Sequence, residues 1–450
     1  MNKTLTLSGI ILTFLVLFVS CTPDKEVTPE TALQAYLQNE DSSFEWQLHQ
    51  TSESGDLKLY NLLVTSQTWR EYIWRHQVTV IVPEEVLYNG ALLFITGGSN
   101  TDEMPNWKKA DDGNIRMMQM IAQENKAITA VVFQVPNQPL FGNLTEDELI
   151  SLTFHNYRKD KDFTWPLLFP MVKSTVRAMD AVQAFAQENL DLRINTFLVS
   201  GGSKRGWTTW LTGATDSRVE AIAPMVIDML NMPRSISYHL EAWGNYSIQI
   251  QDYVNLGIAQ DVDTPDGQEL TAMVDPYSYR NNLTMPKFIF NGTNDEYWPV
   301  DAIKHYLDEI PGENYLHYVP NAGHDLGDKK QAVQALSAFF GETLQNTEHP
   351  ACSWEMEETG QEMILRIDAS EDKLKGIVLW TSESEDRDFR DNVFSAKTVE
   401  GENNEQIMIS LNYPETGYLA FYVDLLYPDL NGELYSKSTR VFVAGQNKVL

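Results

Sequence analysis

The chain has 450 residues, with 33 Lys and Arg set against 63 Asp and Glu, a formal net charge of −30. Such an anionic excess repels phosphate backbones and excludes non-specific nucleic-acid binding as a function class. A hydrophobic content of 43% with 11 Trp is ample for one large core and a smaller second one, and excludes a disordered chain.

The chain opens with MNKTLTLSGIILTFLVLFVSC, in which Lys3 precedes an apolar stretch from Ile10 to Val19 and Ser20-Cys21 follows. This pattern predicts an export signal over residues 1–21, too short for a membrane-spanning helix. The closing LFVSC resembles a bacterial lipoprotein signal, with Cys21 as the lipid-modified first residue of the mature protein. An outer-membrane or cell-surface location follows, with the lipid as the only membrane contact; a plain cleaved signal with an incidental Cys21 is the alternative. Residues 22–43 are expected as a tether. The second cysteine, Cys352, then has no disulfide partner, and no CxxC, HExxH or calcium-loop pattern occurs, so no metal or cofactor is expected.

From Phe44 to Val82 polar and apolar residues alternate as in antiparallel strands. The rhythm then changes to short, wholly apolar strands separated by amphipathic helices: ALLFITGG at 91–98, ITAVVFQVP at 128–136, TFLVSGG ending at Gly202, AIAPMVID at 221–228, KFIFNG at 287–292 and YLHYVP at 315–320. That texture predicts an α/β fold, a mostly parallel sheet with helices on both faces, over residues 44–346. Residues of about 230–285 are too many for a loop and too aromatic for a linker, which predicts a helical cap over the carboxyl edge of the sheet. Beyond residue 347 short strands recur without helical periodicity, predicting an all-β sandwich of fibronectin- or immunoglobulin-like type over 347–450.

The stretch FLVSGGSKRGWTTWL, Phe197 to Leu211, ends a buried strand by placing Ser203 in a glycine-bearing turn before a helix. In an α/β-hydrolase fold this is where the nucleophile stands, normally with glycine two residues before and after it. Gly201 meets the first requirement; Arg205 occupies the second position, and Gly206 comes one place later. An acid and a histidine are needed downstream, each on a loop after its own strand. NGTNDEYW delivers Asp295 after one strand, and VPNAGH delivers His324 after the next. Glu296 and Asp228 are rivals for the acid. Backbone donors for a developing oxyanion are expected from the amide of Lys204 and from Gly98 or Ser99 in the ITGGSN loop. Asn137, Gln138 and Trp298 are candidate substrate contacts.

The quoted elbow, with VIDMLN, NGTNDEYW, NAGH, QVPNQPLF (134–141) and WPLLFPMVKSTVRAMDAV (165–182), resembles the PhoPQ-activated pathogenicity-related proteins, an α/β-hydrolase-like family. The resemblance covers roughly residues 30–345 and implies that Arg205 belongs to the family's own version of the elbow. The elbow is also similar to that of glucuronoyl esterases, G-C-S-R-x-G, which makes Arg205 and Lys204 candidates for holding a carboxylate; pairing of Arg205 with an acid such as Asp228 is the structural alternative. The expectation is an exported serine hydrolase acting on an ester, a peptide or a sugar ester through a Ser203 acyl-enzyme. The competing class is a non-catalytic binding or signalling protein on the same fold. A cap enclosing a pocket beside Ser203 favours the enzyme, and a cap packed onto Ser203 favours the binder.

Overall fold

In the computed structural model the described residues are 26–400 and 407–450, so the expected signal sequence and lipidated Cys21 lie outside them. The antiparallel strands β1 (Glu45–Ser54), β2 (Leu57–Trp69) and β3 (Tyr72–Val82) lead into a parallel block. That block comprises β4 (Gly90–Ile95), β5 (Ile128–Val132), β6 (Thr196–Gly202), β7 (Val219–Met225), β8 (Lys287–Gly292) and β9 (Asn314–Val319). Across the sheet the order is β1-β2-β3-β5-β4-β6-β7-β8-β9, and every neighbouring pair from β5 to β9 is parallel. Strands such as GALLFI and KFIFNG are buried along their whole length because helices cover both faces. On one face lie α2 (Gly113–Asn125) and α9 (Lys330–Leu344); on the other lie α4 (Leu168–Asn189) and α5 (Lys204–Thr215).

The connection from β7 to β8 carries α6 (Met232–Trp243), α7 (Gln251–Asn255) and α8 (Pro265–Val274), the expected cap. A helix from elsewhere in the chain, α3 (Glu146–Asp160), completes it by packing against α7 and α8. The expected tether is corrected in its second half. Residues Pro29–Leu37 form a helix, α1, which packs on α8 and buries Ala32, Leu33 and Tyr36. The Tyr36 hydroxyl donates to Gln67 Oε1 at 2.7 Å, tying α1 to the sheet.

The C-terminal residues are β-rich, as expected, and form two layers. Strands β10 (Cys352–Glu358), β11 (Glu362–Ala369) and β14 (Ile407–Asn412) make a small antiparallel sheet. Strands β12 (Gly376–Ser384), β13 (Ser395–Thr398), β15 (Tyr418–Pro428), β16 (Leu434–Ser438) and β17 (Phe442–Ala444) make the other layer. Met363, Leu365 and Ile409 of the small sheet share one buried cluster with Ile377, Phe421 and Val423 of the other. The second layer is not closed on itself: β16 pairs antiparallel with β9, Ser438 opposite Leu316, so it continues the large sheet. This pairing covers an edge strand that would otherwise expose a row of unpaired amides and carbonyls.

Candidate active site

Ser203 stands between the end of β6 and the first residue of α5 with φ 58° and ψ −129°. Positive φ is unfavourable for a residue with a Cβ and persists only where the surroundings impose it. Here the Ser203 amide donates to Met225 O at 2.8 Å, and its carbonyl accepts from Trp207 N at 2.9 Å. The glycines show why the elbow tolerates Arg205. A Cβ on Gly201 would lie 2.9 Å from Arg205 Cβ and from the Arg205 carbonyl oxygen. A Cβ on Gly206 would lie 2.8 Å from Met225 O and 2.9 Å from Gly201 O. The tight helix-to-strand contact is therefore made by Gly206, and position 205 is free to carry a side chain.

The Ser203 Oγ lies 2.8 Å from His324 Nε2, and His324 Nδ1 lies 2.9 and 3.0 Å from the two carboxylate oxygens of Asp295. Asp295 is 6% exposed. Burial raises its carboxyl above the ordinary range, against the pull of its hydrogen bond to His324. Its Oδ1 also accepts from Tyr297 N at 2.8 Å, and the Tyr297 ring stacks on the imidazole with centroids 4.0 Å apart. The two rival acids are placed otherwise. Glu296 accepts the His324 backbone amide at 3.0 Å and fills the space a Cβ on Gly323 would need. Asp228 is buried below the site, accepting from Tyr306 Oη at 2.7 Å and from Asn291 Nδ2 at 3.3 Å. Burial pushes its carboxyl up to about 8.

The loops bearing Asp295 and His324 are gripped by the C-terminal β-region. Asn294 Nδ2 donates to the carbonyls of Phe389, Arg390 and Asn392 at 2.7–3.0 Å. Asn321 makes a reciprocal pair with Phe394, donating to its carbonyl at 3.0 Å and accepting its amide at 2.7 Å.

On the opposite side of Ser203, Lys204 N opens α5 and has no intrahelical acceptor. The amides of Gly98 and Ser99 likewise have no acceptor among the described residues. Gly98 has φ 146°, and a Cβ there would stand 3.0 Å from Gln134 Nε2. The side chains around this loop form a hydrogen-bonded network that engages three of the expected substrate contacts. Asn137 Oδ1 accepts from Asn100 Nδ2 at 2.7 Å and from Arg75 N at 3.3 Å. Gln138 donates to Gly98 O at 3.0 Å and to Glu146 Oε1 at 2.6 Å. Arg205 forks onto both Glu146 oxygens at 2.7 Å and donates Nε–H to Val135 O at 2.6 Å, so its partner is Glu146 and not Asp228. Lys204 Nζ reaches Glu146 at 3.0 Å and Asp147 at 2.9 Å. Burial works to raise the Glu146 carboxyl, but the hydrogen bonds and charge of Arg205, with the Lys204 ammonium, hold it far below the usual range. Glu146 and Asp147 were not singled out from sequence: three acidic residues in the first turn of α3 read equally as ordinary helix-dipole partners.

The cap does not pack onto Ser203. Between them lies a cavity lined by Ser203, Trp207, Ile236, Tyr253, Leu270 and Trp298, among others. Of the expected substrate contacts, Trp298 and Lys204 share this cavity with Ser203. A second depression opens on the far side of the serine, where His324, Asn114, Met117, Leu326 and Lys329 are among its walls.

The family model of the PhoPQ-activated pathogenicity-related protein matches residues 33–390. The chain belongs to that family. Another relative of this PhoPQ-related protein is the autocrine proliferation repressor protein A of Dictyostelium discoideum, 28% identical over 442 residues, covering 91% of this chain and 87% of that one. Among solved structures, an acetyl xylan esterase from Paenibacillus sp. R4 superposes with a TM-score of 0.50 at 13% identity, covering 70% of this chain and 93% of that one. Acetyl xylan esterase 1 from Thermoanaerobacterium sp. JW/SL YS485 gives the same TM-score at 16% identity, covering 70% and 92%. At such identities the likeness establishes the α/β-hydrolase fold of the PhoPQ-related chain.

Proposed function

We propose that the protein is an exported serine hydrolase that cleaves carboxylic esters. The observation that carries this reading is the unbroken hydrogen-bond chain Ser203–His324–Asp295, with the serine on a strained elbow beside a cavity under the cap. Ser203 Oγ attacks the ester carbonyl carbon and His324 Nε2 takes the hydroxyl proton. Asp295 holds the Nδ1–H tautomer and stabilises the imidazolium. The oxyanion is received by the amides of Lys204 and of Gly98 or Ser99. As the carbon–oxygen bond breaks, His324 returns the proton to the departing alcohol. Water then enters by the same route, hydrolyses the acyl-enzyme and regenerates Ser203.

Two observations favour an ester over a peptide with a free amino terminus. The acidic pair beside the serine, Glu146 and Asp147, is already matched by Lys204 and Arg205, so that pair is not free to hold a substrate ammonium. Two solved neighbours with a TM-score of 0.50 are named as acetyl xylan esterases. Export and a lipid anchor at Cys21 belong to the same proposal, on the strength of the leader's charge and apolar pattern. Hydrolysis of p-nitrophenyl esters by the wild type and not by Ser203→Ala is the expected outcome; equal hydrolysis by both would overturn the proposal.

A further inference from the structure

We infer that the cavity under the cap is the acyl subsite and that it selects a short apolar acyl chain longer than acetyl. The inference rests on the esterase reading and adds the substrate class. Ser203 separates two recesses, and the chemistry of the departing alcohol distinguishes them. His324 must protonate that alcohol, so the alcohol has to sit where the imidazole is part of the wall. His324 lines the outer depression and is absent from the walls of the cap cavity. The cap cavity is therefore left for the acyl chain.

Its lining fits hydrocarbon and not sugar. Ile227, Met229, Ile236, Ile258, Val262 and Leu270 are among the apolar side chains of its wall. Most polar groups among them are already bonded: Asp147 accepts from Tyr253 Oη at 3.0 Å and pairs with Lys204, and Trp207 Nε1 donates to Val274 O at 2.6 Å, whereas Trp298 Nε1 has no partner among the described residues. A hydroxylated acyl group would lose its water there for at most one free donor, Trp298 Nε1, which is unfavourable. The cavity volume is about 60 Å³. An apolar cavity of about 150 Å³ accommodates benzene, so this one suits roughly two or three carbons beyond the acetyl methyl, as in butyrate. Each buried methylene favours binding about four-fold, which places butyrate about fifteen-fold above acetate in kcat/KM. Hexanoate overfills the space and falls back.

The test uses the purified full chain with p-nitrophenyl acetate, butyrate and hexanoate, and Ser203→Ala as blank. Leu270→Trp, which fills the cavity, is expected to abolish the butyrate advantage. Ile258→Ala, which enlarges it, is expected to move the optimum to hexanoate and keeps the test decisive should Leu270→Trp fail to fold. Preference for acetate in the wild type, or an unchanged chain-length order in a folded cavity variant, would overturn the inference while leaving the esterase reading intact. Absence of any Ser203-dependent hydrolysis removes both.

Discussion

The guanidinium of Arg205 lies directly against Gly97, in the space that a Cβ there would occupy, while its two Nη groups fork onto Glu146. The residue that breaks the usual glycine spacing of the elbow is thus the strut that joins the elbow helix, the Gly97-Gly98-Ser99 loop and the start of α3. A lysine keeps the charge but not the fork or the bond to Val135 O. Arg205→Lys should lower kcat/KM by up to about a hundred-fold through misplacement of the loop amides, with little change in the far-ultraviolet circular dichroism. An unaltered kcat/KM would show that the loop is held without it.

Asp295→Asn and Glu296→Gln separate the acid from its neighbour. An amide at 295 stabilises the wrong imidazole tautomer, and kcat should fall by about 10⁴ in a chain that still folds. Glu296 accepts only the His324 backbone amide, so Glu296→Gln, which keeps an acceptor, should cost roughly ten-fold or less. Steady-state kinetics on both variants, with the reverse ranking as the contrary result, decides between the two carboxylates.

The grip of the C-terminal region on the two loops predicts that it cannot be removed. A chain ended at Gln345 loses the partner of β9 and the acceptors of Asn294. Its recovery should be as aggregate, because an uncovered edge strand and a bared apolar face remain. A finer probe is Asn321→Ala, which leaves the Phe394 amide without its acceptor and should reduce kcat more than thermal stability. A soluble, active truncated chain would contradict both.

Asp228 supplies a pH signature independent of catalysis. Burial raises its carboxyl from 3.8 to about 8, so the folded protein retains a proton that the unfolded chain has released. Its contribution to stability is therefore fully present below about pH 4 and is lost as pH rises towards 8, by at most about 1.4 kcal/mol per pH unit. Asp228→Asn is neutral throughout. The difference in Tm between variant and wild type should move in the variant's favour from pH 5 to pH 8; a difference independent of pH would mean that Asp228 is ionised when folded.

Ser203, Asp295 and His324 were legible because each follows a short apolar strand of its own, in the order that the parallel sheet brings to one edge. Glu146 was not. It meets Arg205 across 59 residues of chain, and a charged residue opening a helix carries no mark of a partner that distant. The same holds for Asn294 and Asn321, whose turn-like contexts conceal hydrogen bonds to backbone groups 73–98 residues further on. Helix α1 was read as tether because its 9 residues show only Ala32, Leu33 and Tyr36 to the core, too short a period to stand out. The C-terminal strands were read correctly as β-rich, but edge pairing between β16 and β9 uses backbone groups and leaves no side-chain pattern.

The most direct test of the central claim is active-site labelling. The folded protein, treated with a fluorophosphonate and digested, should carry the phosphonyl group on the peptide containing Ser203, and Ser203→Ala should carry none. Asp295→Asn should label far more slowly than wild type. Failure of the folded wild type to react, or equal labelling of Ser203→Ala, would contradict an activated serine at this site.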